Sequence, residues 1–409
     1  MVLFKSLPAL QNGHQNFQGV DLNLYFDNAS TSFPKPQMVS ESIKFYLEKV
    51  PGSYGRGFTA SHKLIAEVFY ESRELLTTLF HADKSEKIII TPNATISLNT
   101  ILFGLDLRNK HVLISQFEHN SVLRPLNHLR QTVGLTYDFL NCDVDGSIIL
   151  DDLPRQIRKN TSLIIVNHVS NVTGLIQNIH QVKKYVPGLP LVVDAAQSAG
   201  LEHIDIEEGQ IDYLVFTGHK SLLGPSGIGG FYLKNPASIK PFYYGGTGSF
   251  SDSDDMPMFI PDRFEAGTQN ITGILGLRAS LNYLINQTGH DKKELFELLE
   301  FLKKETLFRV YCANYENQTD FTNQQSFLFS ITHPHIKTSE LANLLYTKYG
   351  IITRAGLHCA PTTHKYLGTT PSGTVRISFS SFHTQEEYYF LRKILDEVDK
   401  KTRSEICSS

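Results

Sequence analysis

Cysteine is scarce in this chain. Four are spread over 409 residues, at Cys142, Cys312, Cys359 and Cys407. That number and spacing exclude a disulfide framework and fit a reducing compartment, the cytoplasm. A dominant charge is lacking too: 38 Lys and Arg against 41 Asp and Glu leave a net charge of −3. Such a balance draws neither nucleic acid nor an anionic membrane surface. No run approaches the roughly 18 apolar residues of a membrane helix. Met1 to Leu10 carries one Lys and a short apolar stretch, then the polar run 11–16. No export signal is expected from it, so triplets such as Asn171-Val172-Thr173 read as chance glycosylation matches. Internal repeats and long low-complexity tracts are absent as well.

What is present is ordinary soluble composition, 41 % hydrophobic and 19 % charged, which excludes a disordered chain. At about 150 residues per domain, the length calls for two or three domains. Short β-branched runs alternate with longer polar-periodic stretches from Lys87 to about Leu233. The runs are Ile88–Ile90, Val112–Ile114, Leu163–Val166, Leu191–Val193 and Tyr213–Phe216, with a helix over Ser121–Thr132 between two of them. Near-continuous apolar strands separated by helices predict an α/β domain with a mainly parallel sheet covered on both faces. Gly245 to Gly248, with residues 249–255, reads as a surface loop. A second alternation follows: a helix over Lys292–Lys304, a strand over Phe327–Ile331, a helix over Ser339–Tyr349, a strand over Thr374–Phe379 and a helix over Gln385–Lys400. It predicts a smaller α+β C-terminal domain. The division is a large domain over 24–270 and a small one over 271–409, with 1–23 beside it.

Parallel sheets bind ligands at the carboxyl ends of their strands. One run ends in Asp194-Ala195-Ala196-Gln197 and the next in Thr217-Gly218-His219-Lys220. Alone, the Asp reads as a helix cap and the Lys as a surface residue. Together, on successive strand ends, they match pyridoxal 5'-phosphate, which needs a Lys for its Schiff base and a carboxylate against its pyridinium nitrogen. Thr217, His219 and the stretch Thr91 to Asn99, which enters a helix, offer groups for the phosphate. His119, after the strand at 112–115, is either a solvated capping residue or an imidazole stacked on the ring. Asn171 holds a strand-end position of the same kind.

Arg354-Ala355-Gly356-Leu357-His358-Cys359-Ala360-Pro361 places a Cys among Gly, Pro, His and Arg. An electropositive loop of that composition favours a thiolate. A metal site from His358, Cys359 and His364 matches no common zinc spacing, and no metal is expected. Arg376 lies within a strand. A buried Arg needs an anion, either a substrate carboxylate held bidentately or a structural salt bridge.

Together these residues resemble the cysteine desulfurases of the class V aminotransferase superfamily, fold-type-I pyridoxal-phosphate enzymes. The likeness runs from Tyr25-Phe26-Asp27-Asn28-Ala29-Ser30 to about Glu387. It passes through Arg56-Gly57, Glu118-His119-Asn120-Ser121, His168 to Gly174, Asp194 to Gln197, Thr217 to Lys220, Phe264-Glu265-Ala266-Gly267-Thr268 and the Cys359 loop. The loop is similar to that of the group with a short, ordered cysteine loop, which commonly passes sulfur to a partner protein. The resemblance implies that Lys220 carries the cofactor, Asp194 pairs with the ring nitrogen, Gln197 bonds the ring hydroxyl and His119 stacks on the ring. It implies Thr95, Thr217 and His219 at the phosphate, and Thr268 at the phosphate of a neighbouring subunit, hence a homodimer. Arg376 with Asn171, and Arg354, would hold the substrate, and Cys359 would receive sulfur. Gly55, Pro92-Asn93-Ala94-Thr95 and Ile96 depart from the usual pattern at the entrance and phosphate cup.

The implied reaction takes L-cysteine to L-alanine, with sulfur kept as a persulfide on Cys359 and passed to an acceptor. A selenocysteine lyase, or another β-lyase or aminotransferase of the class, uses the same cofactor set. A non-catalytic scaffold would have no need of Lys220, Asp194, His119, Arg376 and Cys359 together.

Overall fold

The computed structural model describes residues 24–407 except 56, 250–251 and 288–290, together with two short strands, β1 (Asn16–Phe17) and β2 (Val20–Asp21). Arg56 and most of 1–23 therefore lie outside the described residues.

Seven strands form the large sheet: β3 (Ile88–Thr91), β4 (His111–Ile114), β5 (Thr136–Phe139), β6 (Thr161–Asn167), β7 (Leu191–Asp194), β8 (Tyr213–Thr217) and β9 (Gly229–Leu233). Their order is β3-β9-β8-β7-β6-β4-β5. The pairings from β8 to β5 are parallel, and those of β9 with β8 and β3 are antiparallel. Successive side chains point to opposite faces. Leu113, Ile164, Val193 and Leu214 enter one core, and Val112, Ile114, Ile165, Val192 and Val215 the other. Both faces are covered, which is why the strands read as unbroken apolar runs.

The small sheet is antiparallel: β10 (Arg309–Tyr311), β11 (Leu328–Thr332), β13 (Thr374–Ser378) and β12 (Arg354–Gly356), in that order. It has its own core, centred on Phe329, Ile331, Val375 and Ile377. The expected helices are present at Lys293–Glu305, Thr338–Tyr349 and Gln385–Cys407, the last running further than periodicity predicts. The helix Ile271–Ile285 packs into the large-sheet core, where it buries Ile274, Leu277 and Leu281. The N-terminal segment joins the small sheet. Phe26 donates to Ile352 O and accepts from Ser378 N, each at 2.8 Å, and its ring sits in the small core.

One buried ion pair ties the layers together. Glu265, from the 264–268 segment, accepts from Arg73 Nη2 at 2.8 and 2.7 Å and from Ile90 N at 2.7 Å. Both side chains are almost fully buried. Arg73→Ala would leave Glu265 as an uncompensated buried charge. A loss of about 3–5 kcal/mol in denaturant unfolding is expected; a midpoint unchanged from wild type would show the pair to be dispensable.

Candidate active site

Four parallel strands, β4, β6, β7 and β8, deliver their carboxyl ends to one cavity of about 200 Å³. Its wall includes Thr95, His119, Asn171, Asp194, Thr217 and Lys220, with Gln197 and His219 beside them. The residues expected at the cofactor are thus brought together, except Thr268. That residue lines a separate hollow with Thr91 and Tyr243.

Lys220 donates no hydrogen bond to protein among the described residues. Burial pushes its amine down to about 8, against the pull of Asp194 in the other direction. Asp194 is buried at the end of β7, and one carboxylate oxygen accepts from Ala196 N at 2.9 Å. Burial pushes its carboxyl up, and the Lys220 charge opposes that. His119 caps the helix Asn120–Val133, and its Nδ1 accepts from Ser121 N at 3.1 Å. That fixes the ring proton on Nε2. Burial, then the charges of Lys220 and Arg354, holds the ring near pKa 4 and therefore neutral.

At the cavity wall, lined there by Asn93, Ala94 and Thr95, begins the helix Ala94–Gly104. Asn93 caps it by accepting from Ile96 N at 3.0 Å. The departure from the family pattern at 92–95 thus keeps a capped helix N-terminus facing the cavity, a ready place for an anion. Thr95 Oγ1 pairs with Ser121 Oγ at 2.7 Å. His219 Nδ1 is buried without a partner, and burial with Lys220 keeps that ring neutral, near 4. Gln197 gives one Nε2 hydrogen to Ala29 O at 3.0 Å and retains the other.

The cysteine loop comes from the small sheet. His358 and Cys359 are both in the left-handed region, at φ 46° and 57°. Two bonds hold the loop against the large-sheet strand ends: Asn120 N donates to Cys359 O at 2.8 Å, and Asn171 Nδ2 to His358 O at 2.7 Å. Cys359 is exposed. His358 differs from expectation as a source of positive charge. It is buried with Nε2 turned to Thr374, and burial drives its pKa to about 2, so the ring is neutral. The cation beside the sulfur is Arg354, with Nη2 4.0 Å from Cys359 Sγ. His364 turns to Thr369 instead. Among the described residues, the side chains grouped closely enough for a metal are His203, Asp205 and Glu208, away from this loop.

Arg376 is 1 % exposed. Its structural salt bridge is present, to Asp27. Its Nη2 donates to Asp27 at 2.7 Å and Ser30 Oγ at 2.9 Å, and its Nη1 to Asn171 O at 3.0 Å. Nε has no partner. In the β12–β13 register Arg354 lies directly opposite Arg376, and Arg354 Nη1 also donates to Ser30 Oγ at 3.0 Å. Like charges facing each other across a sheet repel; Asp27 supplies the anion on Arg376, and Ser30 Oγ bridges the two guanidinium groups. Asp27 and Ser30, quoted in the sequence only as the start of the family likeness, are direct partners of Arg376, and Ser30 also of Arg354. Their signal was the polar run directly after apolar Tyr25-Phe26.

The donors fit pyridoxal phosphate. A Lys without a partner, a buried carboxylate, a neutral imidazole and an orphaned His219 nitrogen surround one cavity. Cofactor uptake by cofactor-free protein is expected to rise with pH, because the neutral amine is the nucleophile. The rate should reach half its plateau near pH 8. A half-plateau near the ordinary lysine value of about 10.5 would show that burial does not tune this amine.

Fold and cavity together define a fold-type-I pyridoxal-phosphate enzyme. The family model "Aminotransferase class-V" matches residues 24–389. The chain belongs to that family, within its cysteine desulfurase group. A probable cysteine desulfurase of Pyrococcus abyssi is 33 % identical, over 93 % of this chain and 95 % of the relative. One from Halalkalibacterium halodurans is 30 % identical, over 92 % and 93 %. The apo cysteine desulfurase structure from Thermococcus onnurineus superposes with a TM-score of 0.84 at 31 % identity, over 92 % and 94 % of the two chains.

Proposed function

We propose that this chain converts L-cysteine to L-alanine and keeps the sulfur as a persulfide on Cys359. The observation that carries the reading is the exposed Cys359, fixed beside Arg354 and tied by backbone to the residues around the cofactor cavity. Bound pyridoxal phosphate supplies an electron sink for charge developing at the substrate Cα. Lys220, as a buried amine, takes and returns the Cα proton. Asp194 would pair with the ring nitrogen and Gln197 with the ring hydroxyl. His119 would stack on the ring. Thr95, Thr217 and His219 would hold the phosphate. Arg376, with Arg354 and Asn171, would receive the substrate carboxylate, which would have to displace part of the Asp27 and Ser30 contacts of the guanidinium.

The Cys359 thiolate attacks the substrate sulfur. An S–S bond forms, the Cβ–S bond breaks, and its electron pair goes to carbon, which gains a proton. Carbon is reduced and the sulfur pair oxidised, so L-cysteine and a thiol balance L-alanine and a persulfide.

Several further features belong to the same reading. Thr268, away from its own cavity, serves the phosphate of a second copy in a homodimer. A partner protein accepts the sulfur. Residues 24–270 form the cofactor-binding unit and 271–409 the unit bearing the cysteine loop, with helix 271–285 packed back into the large-sheet core and Phe26 into the small one. No helix of the described residues is long and apolar enough to cross a membrane, and four free thiols suit a reducing cytoplasm. The test is mass spectrometry of the loaded protein after L-cysteine is added. One added sulfur on Cys359, with alanine released, is the expected result. Alanine formed with no sulfur on Cys359, or pyruvate in its place, would sink the reading.

A further inference from the structure

Glu118 is a buried titratable group that this chemistry does not use. It follows β4 and is wholly excluded from solvent. Its Oε1 accepts from Ser115 Oγ at 2.6 Å and from Asn167 N at 2.9 Å. Its Oε2 is buried without a partner. Among the described residues, no Lys, Arg or His hydrogen-bonds it. Asn167 lies opposite Asp194 in the β6–β7 register, so the two carboxyls stand behind neighbouring strand ends. The charged groups arrayed from Glu118 outward are Asp194, whose charge acts on it, and then Lys220.

A carboxylate buried with no cation is costly enough that it takes up a proton instead. Two buried carboxyls side by side cannot both ionise cheaply, and here only Asp194 has a basic neighbour. We propose that Glu118 is a positioning residue held as a neutral acid, leaving Asp194 as the single charged carboxylate behind the cofactor. Burial first, and Asp194 after it, pushes Glu118 up to about 8. The neutral acid also ties the loop that carries His119 to the end of β6, through Ser115 and Asn167. Ionised, it would place a second negative charge at the ring-nitrogen end and make Lys220 harder to deprotonate.

The inference rests on the cofactor reading only for its spectral arm. Cofactor-loaded wild type and Glu118→Gln are compared by the absorbance of the bound cofactor against pH and by thermal stability against pH. The amide mimics a neutral acid, so the two absorbance titrations should coincide up to pH 7. For stability, the folded pKa lies above the unfolded one. A neutral acid therefore favours folding at low pH, and that advantage is lost as pH rises. The wild-type advantage over Glu118→Gln should decline between about 4.5 and about 8 and then level off. A difference that is flat across that window would overturn the inference, because Glu118 would then be ionised in both states. So would an absorbance midpoint moved at neutral pH by Glu118→Gln. If the cofactor reading alone were wrong, the spectral arm would have no signal and the stability arm would still decide. Should Glu118→Gln not fold, infrared spectroscopy of protein carrying 13C-carboxyl glutamate in a Glu202→Gln background replaces it: the label separates Glu from the buried Asp194, and burial raises Glu202 as well. A protonated-carboxyl band at pH 7 that fades near pH 8 is expected, and its absence at pH 7 overturns the inference.

Discussion

Replacing Lys220 with alanine is expected to lower alanine formation from L-cysteine by at least about 10³-fold, within the range a positioned proton-transfer group contributes. The reason lies in what surrounds the amine. Its candidate substitutes are spoken for: His119 has Nδ1 committed to Ser121, and burial keeps its ring from accepting a proton near neutral pH. His219 is held down in the same way. Asp194 shares the cavity wall, but it accepts from Ala196 N and in the proposed reading is committed to the ring nitrogen. Of these groups, only Lys220 combines a pKa near 8 with a place on the wall. Single-turnover measurement of alanine separates this effect from slow release of sulfur. A variant within tenfold of wild type would show that another group moves the Cα proton. Adding a small primary amine should restore part of the lost rate, since the cavity keeps its remaining donors.

Cys359→Ser is expected to abolish the persulfide and cut alanine formation by a comparable factor while leaving cofactor uptake unchanged. The hydroxyl is far less nucleophilic toward sulfur at this pH, and thiolate character is what the attack requires. Cys359 is not part of the cavity wall, so cofactor absorbance should match wild type. That combination, full loading and no sulfur transfer, distinguishes loss of the acceptor from loss of fold. Full alanine formation in the serine variant would mean that sulfur leaves by another route, as a lyase releases it.

The sequence makes the site legible where its chemistry is local. Asp194, Gln197, Thr217 and Lys220 sit directly after unbroken apolar runs, so burial on both faces of the sheet marks the strands and their ends mark the site. β5 was not legible because Thr136 to Phe139 is a partly exposed edge with no apolar run. β9 begins Gly229-Gly230, which reads as a turn. A Cβ at Gly230 would come within 2.4 Å of Ile89 O and 2.6 Å of the Phe216 ring, so the glycine admits β9 between β3 and β8. Asp27 bonds an arginine 349 positions away, a pairing no local pattern announces. Glu265 looked like part of a motif around Thr268, and its work is to neutralise Arg73 inside the core. His358 looked electropositive by type, yet burial makes it neutral and the positive charge comes from Arg354.

The two backbone bonds that moor the cysteine loop have a consequence for delivery. With Cys359 O on Asn120 N and His358 O on Asn171 Nδ2, sulfur held on Cys359 in the proposed reaction would sit at a fixed berth and not at the end of a swinging arm. A recipient would then have to come to the exposed Ala355, Leu357 and Cys359 and bring its own nucleophile to the sulfur. Choice among recipients is then a matter of how well their contours meet this small rim, and lengthening the loop would trade that selectivity for reach.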